Sequence, residues 1–263
     1  MTTAGMSRMR LSLLRAWLPA AIIAIWWVAS TLSPSLYFPP LGEIVGEIIS
    51  EWIFGPRLVN DLLPTLANFA AGLSIALIAG TVLGVVLGRN AVLRAFFAPL
   101  INFFRSLPSP ALIPIVLALF SLGSSMSIAL IAIGAIWPTL LNTIDGVRSV
   151  DTQVREVVRS YRLSRTQNIF RVVLPAAGPQ IMAGYRISLQ ISIILIVVSE
   201  MVGATQGLGY FVLESQQMFQ VAQTWAGTIM LGLLGYLLTQ IFVIVERRVL
   251  RWQIRMRAAT GAA

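Results

Sequence analysis

Residues 106–144 read SLPSPALIPIVLALFSLGSSMSIALIAIGAIWPTLLNTI, 39 residues without one charge. A bilayer core about 30 Å thick is crossed by roughly 20 apolar helical residues, so this run is nearly long enough to cross twice. In its middle stands Ser121-Leu122-Gly123-Ser124-Ser125, and Gly with Ser favours a turn there. The stretch reads as two spans and their connection. Three further uncharged runs, 16–42, 62–88 and 215–245, hold 27, 27 and 31 residues. The chain of 263 residues is 57% hydrophobic and 11% charged, against about 25% charged in a soluble domain, and its mean hydropathy is +0.83. It is an all-α, polytopic membrane protein.

The same composition removes whole classes of chemistry. There is no cysteine and no histidine, which excludes thiolate nucleophiles, Cys- or His-ligated zinc, imidazole bases and Ser-His-Asp triads. No GxxxxGK[ST] occurs, so the chain has no P-loop for a nucleotide. A net charge of +9 would suggest nucleic acid in a soluble protein. In a membrane protein it reports orientation first.

Six spans are expected, at about 17–32, 63–88, 97–120, 126–144, 180–202 and 223–245. The first follows Arg8, Arg10 and Arg15 and resembles a signal peptide, but Trp26-Trp27 replaces the small-residue exit, and we take it as a retained helix. With the termini, the 89–96 loop and the 145–186 loop on one face, 18 of the 19 arginines fall there and only Arg57 opposite. Cytoplasmic loops carry such an excess, so both termini are expected inside. Glu43, Glu47, Glu51, Asp61, Glu200 and Glu214 collect on the outer side. Three of these, Glu43, Glu47 and Glu51, recur every fourth residue, which predicts an amphipathic helix over 41–54 with a solvated acidic face.

The inner loop carries the sharpest signal. In Val154-Arg155-Glu156-Val157-Val158-Arg159-Ser160-Tyr161-Arg162 the valines and Tyr161 share one helical side, with the charges around the other. Asp151 or Thr152 is the expected N-cap. A second short helix is expected up to Pro175, which ends it or starts the next. Such a basic, amphipathic surface helix suits anionic head groups or a docked cytoplasmic partner.

The loop resembles the motif E-A-A-x3-G-x9-I-x-L-P of binding-protein-dependent ABC transporter permeases. Glu156 stands at the Glu, Val157 and Val158 at the alanines, Val172 at the Ile, and Leu174-Pro175 at the Leu-Pro. Arg162 replaces the glycine, a departure that touches the tight exit from the helix. Other pieces are similar to the aliphatic sulfonate, taurine and nitrate permeases: Phe38-Pro39-Pro40-Leu41, Leu63-Pro64-Thr65-Leu66 with Gly72, Leu107-Pro108-Ser109-Pro110, Ser199-Glu200-Met201 and Gly207-Leu208-Gly209-Tyr210. The likeness spans roughly 37–247. It implies a type I ABC importer permease fold, a second permease copy in a homodimer, and cytoplasmic ABC ATPase subunits that carry ATP and its magnesium. It also implies an extracytoplasmic solute-binding protein, no cofactor on this chain, no enzymatic activity of its own and no nucleic acid partner. The transported solute is expected to be a small polar anion of the sulfonate or taurine kind. Nitrate, bicarbonate, thiamine precursors and riboflavin are the alternatives within the class. A secondary transporter would show mid-membrane carboxylates and repeated halves, and neither is seen.

On this reading the chain divides into 1–32, a cytoplasmic tail with the first span, and 33–62, an extracytoplasmic segment. The permease core is 63–247 with its coupling loop at 145–178, and 248–263 is an Arg-rich cytoplasmic tail. Glu156, Val157, Val158, Arg159, Arg162, Val172, Leu174 and Pro175 are the expected ATPase-coupling residues. Pro108, Pro110 and Pro114 fall within seven residues and must kink or unwind the third span. Irregular backbone at membrane depth lies against protein or a water-filled cavity, so Ser106 and these prolines are expected on the translocation path. Glu200 is expected at an outer gate. Arg105 and Arg186 face a cavity or snorkel to the inner head groups. Gly72, Gly80, Gly84 and Gly88 have the small-xxx-small spacing of closely packed helices.

Overall fold

The computed structural model describes residues 8–32 and 35–253, apart from the side chains of 8–16, 152, 155, 157 and 159. Among these residues there is no strand, only an isolated bridge between Ser35 and Phe38. Eleven helices follow one another: α1 Arg8–Leu32, α2 Leu41–Glu47, α3 Leu63–Arg89, α4 Ala91–Ser106, α5 Ile113–Phe120, α6 Ser124–Arg148, α7 Thr152–Ser160, α8 Arg165–Asn168, α9 Leu174–Gly203, α10 Leu208–Gln217 and α11 Val221–Val249. Four continuous helical stretches are long and apolar enough to cross a membrane: Leu58–Arg89, Ser124–Arg148, Arg165–Gly203 and Val221–Val249. The bent pair α4 and Ser109–Phe120 makes a fifth, and α1 carries a shorter apolar stretch, Trp17–Leu32.

α6 is the centre of the bundle. Where α3 meets it, glycine lets the backbones approach. A Cβ on Gly72 would lie 2.7 Å from Ile131 Cβ, on Gly80 2.8 Å from Thr139 Cγ2, on Gly84 2.5 Å from Thr143 Cβ, and on Gly88 2.9 Å from Val147 Cβ. Both sets of residues advance in the same steps, so the two helices run parallel and in register. The small-residue seam read from the sequence is this contact. α9 packs on α6 in the opposite sense: Gly134 meets Leu195, whereas Gly184 meets Asn142 and Gly146 meets Gln180. Buried hydroxyls fasten that joint. Ser188 Oγ donates to the Ala135 carbonyl at 2.6 Å and lies 2.8 Å from Thr139 Oγ1. The main apolar core, with Phe69, Val116, Met126, Leu130, Leu195 and Ile196, fills the space between these helices.

Several expected boundaries move. The second span starts at Leu58, five residues early, because a π turn over Leu58–Leu62 leads into α3. The 89–96 loop shrinks to Asn90, whose Oδ1 accepts from the amides of Val92 and Leu93 and starts α4 at once; this is an ordinary N-cap. The expected second surface helix is not separate. Ser164 and Gln167 form a capping box that starts α8, a π turn follows, and α9 continues it without a break. Pro175 therefore lies just after the π turn, as the second residue of α9, inside a helical stretch that it neither ends nor starts. The acidic helix over 41–54 is α2 with its π extension Ile48–Ile53. It buries Ile44 and Trp52 as the pattern requires, but Glu51 is engaged by Arg57 at 3.4 Å and its face is not wholly solvated.

Candidate functional site: a broken helix, a brace and a surface lever

The proline cluster does break the third span. α4 ends at Ser106, a 3₁₀ turn over Ser109–Leu112 follows, and the axis bends by 96°. Leu107 adopts extended backbone, the conformation favoured for a residue before proline, and Pro108 follows with φ −57° and ψ 119°. Inside the bend lies a cavity of about 370 Å³ lined by Arg105, Ser106, Leu107 and Ser109. Gly134, Trp137, Pro138 and Leu141 from the middle of α6, with Ile191 of α9, form its far wall. Phe104 stacks on Trp137, with ring centroids 5.7 Å apart and planes within 4°, and holds the end of α4 against α6. Of the residues expected on a path, Ser106 lines this cavity. Pro108, Pro110 and Pro114 make the bend and, like Arg105 and Ser106, are exposed, but they do not line this cavity.

Glu200 is not on the cavity. It is wholly buried, because the segment 203–209 turns back over the end of α9 and encloses it. Three consecutive amides opening α10 are each bound by a side chain from another helix or turn. Gly207 N–H donates to Asp61 Oδ1 at 2.9 Å, Leu208 N–H to Thr65 Oγ1 at 2.9 Å, and Gly209 N–H to Glu200 Oε2 at 2.9 Å. Thr65 Oγ1 in turn donates to Glu200 Oε2 at 3.0 Å. Gly207 has φ +120°, and a Cβ there would lie 2.5 Å from the Glu200 carboxyl carbon, so only glycine fits. Asp61 also accepts from Arg57 at 3.2 Å, and the Arg57 guanidinium sits 4.6 Å above the Phe211 ring. Arg57 is thus held inside this brace. Nearby, the Tyr210 phenol is pushed above its ordinary pKa, chiefly by the Glu214 carboxylate beside it.

α7 follows the end of α6, and its Val158 faces the ends of α3 and α6. The Asp151 carboxylate accepts from the Gln153 amide, and the exit is tight. Arg162 adopts φ +48°, and Leu163 N–H reaches back to the Val158 carbonyl at 3.2 Å; this is the reach-back of a Schellman ending. The departure at Arg162 therefore leaves the turn intact, with arginine holding a conformation that costs about 1 kcal/mol relative to glycine. Val158 and Val172 line one cavity of about 310 Å³ with Gly88, Arg89, Val147, Val150, Asn168 and Val173. Leu174 packs on the cluster of Val85, Val147, Val173, Ala177 and Ile181. Glu156, Arg162 and Pro175 are exposed. The side chains of Val157 and Arg159 lie outside the described residues. The sequence did not single out Asp61 or Thr65 for the brace, nor Trp137 for the cavity; the spacing of Arg57 and Asp61, one helical turn apart, was the available signal.

Three comparisons bear on these features. The family profile described as "Binding-protein-dependent transport system inner membrane component" matches residues 72–251. The chain is 32% identical over 237 residues to SsuC of Bacillus subtilis, a permease protein named for aliphatic sulfonates transport, covering 90% of this chain and 86% of that one. It is 31% identical to the bicarbonate transport system permease protein CmpB of Synechococcus elongatus, over 87% and 86% of the two chains. With the taurine transport system permease protein TauC of Escherichia coli it shares 28%, over 89% and 87%. In three dimensions it resembles a chain of the MetNI methionine ABC transporter in an inward-facing conformation, with a TM-score of 0.62 at 24% identity, over 73% of this chain and 96% of that one. The all-helical bundle, the broken third span and the matched family agree, and the chain belongs to the inner-membrane components of binding-protein-dependent transport systems, the permeases of ABC importers.

Proposed function

We propose that this chain forms the translocation path of an ATP-driven importer for a small polar anion. The relatives named for aliphatic sulfonates, bicarbonate and taurine support that solute class. ATP and magnesium are carried by separate ATPase subunits docked inside, an extracytoplasmic binding protein delivers the solute, and a second copy of the chain completes the path. The arginine asymmetry supports cytoplasmic termini. The observation that carries the reading is α7. It is a short helix with a tight exit, exposing Glu156 while Val158 turns toward the inner ends of the core helices. A lever of this kind converts movement of a docked partner into rigid-body movement of the spans.

Glu156→Lys tests it. The reversed charge on an exposed helix leaves the fold and membrane insertion intact, and co-purification of the ATPase subunits is expected to fall by about tenfold, as charge reversal at a docking contact commonly weakens binding. Wild-type recruitment and wild-type transport together would make α7 a lipid-facing helix and remove the coupling role.

A further inference from the structure

Arg105, Arg186 and Glu200 are the three charges that the sequence places closest to the spans, and the structure separates them. Glu200 is locked in the outer brace by Thr65 and Gly209. Arg186 is paired with Glu246 of α11. Arg105 has no ion pair and no hydrogen bond among the described residues, and it lines the cavity at the bend. A charge near membrane depth is costly and usually serves a pathway. That cavity contains no acidic residue.

The hydroxyls beside Arg105 sharpen the point. Ser109 Oγ, in the same lining, also has no partner among the described residues. Ser106 Oγ donates to the Asn102 carbonyl at 2.7 Å and keeps its lone pairs. Trp137, Leu141 and Ile191 make the rest of the wall apolar. We propose that Arg105, with Ser109, is the anion-selecting element of the translocation path, taking an oxyanion head against the guanidinium and a short organic tail, where present, against the apolar wall. A guanidinium presents forked donors that match carboxylate, sulfonate or nitrate oxygens. This deepens the import reading and rests on it.

The test needs neither the natural solute nor the binding protein. The chain has no cysteine, so Ser109→Cys supplies a single reporter in the full chain with its ATPase subunits in membrane vesicles. Its rates with anionic sulfonatoethyl methanethiosulfonate and cationic trimethylammonioethyl methanethiosulfonate are each normalised to the reagent's rate with a free small thiol. The expected anion-to-cation ratio lies well above one, because a charge in a low-dielectric cleft concentrates its counter-ion. It should fall about tenfold in Arg105→Gln and largely persist in Arg105→Lys, while Arg171→Gln, an exposed cation of the α8–α9 link remote from the cavity lining, leaves it unchanged. Reaction with both reagents at a ratio that Arg105→Gln does not alter overturns the role of Arg105 and leaves the path standing. An equal fall in Arg171→Gln assigns selection to the overall positive field and overturns it as well. Silence toward both reagents means no aqueous cavity, and then the path through the bend falls together with this inference.

Discussion

Glu200→Ala is expected to lower the unfolding temperature of the solubilised protein by at least about 5 °C and to release the Gly209 amide to rapid hydrogen exchange. The carboxylate accepts two bonds at one oxygen, from Thr65 and Gly209, in a site with no exposure. Truncation leaves both donors buried without an acceptor, at about 1–3 kcal/mol each, and opens a cavity at the junction of α3, α9 and α10. For a chain of this size 1 kcal/mol corresponds to about 2–4 °C. Glu200→Gln keeps an oxygen for the two donors and is expected to recover most of the loss. Exchange at Gly209 as slow in the alanine variant as in wild type would mean that α10 is held by its packing on α11 rather than by the brace.

Gly84→Ala is the second large effect. The added methyl would stand 2.5 Å from Thr143 Cβ, and 3.0 Å from the Leu140 carbonyl, so two parallel backbones must separate along the seam. Overpacking of this kind costs about 1–3 kcal/mol, and it falls on the contact that organises the bundle. Gly232 on α11 has nothing within 4 Å of its Cβ position, and Gly232→Ala is expected to be near neutral. Equal thermal stability of the two variants would contradict the parallel α3–α6 register.

What was legible in the sequence is what periodicity and charge record. Helices recur where charge is absent, the four glycines of α3 mark its packed face, and three prolines within one stretch announce the bend. The surface helix Thr152–Ser160 was legible as a helix. The departures have a common physical origin in caps and π turns, whose side-chain geometry depends on one or two residues: Asn90 starts a helix where a loop was expected, and the Ile169–Val173 turn merges two helices. The brace was illegible for a different reason. Asp61, Thr65 and Glu200 are far apart in the chain and meet only because the bundle folds α10 back over the end of α9. Arg105 was visible as a charge near a span. Its lack of a partner among the described residues required the positions of all the others.

A bent third span that lines an aqueous path driven by ATP is open to small water-borne reagents. Single cysteines at positions 106–113, in a chain with none of its own, test this through their reaction with small aqueous thiol reagents before and after ATP is trapped on the partner subunits. The backbone groups freed at the bend would cost several kcal/mol each in lipid, so residues beside Ser106 and Ser109 are expected to react, and the pattern should change between the two states. Silence at every position in both states would place the bend in lipid or dry protein and remove it from the path.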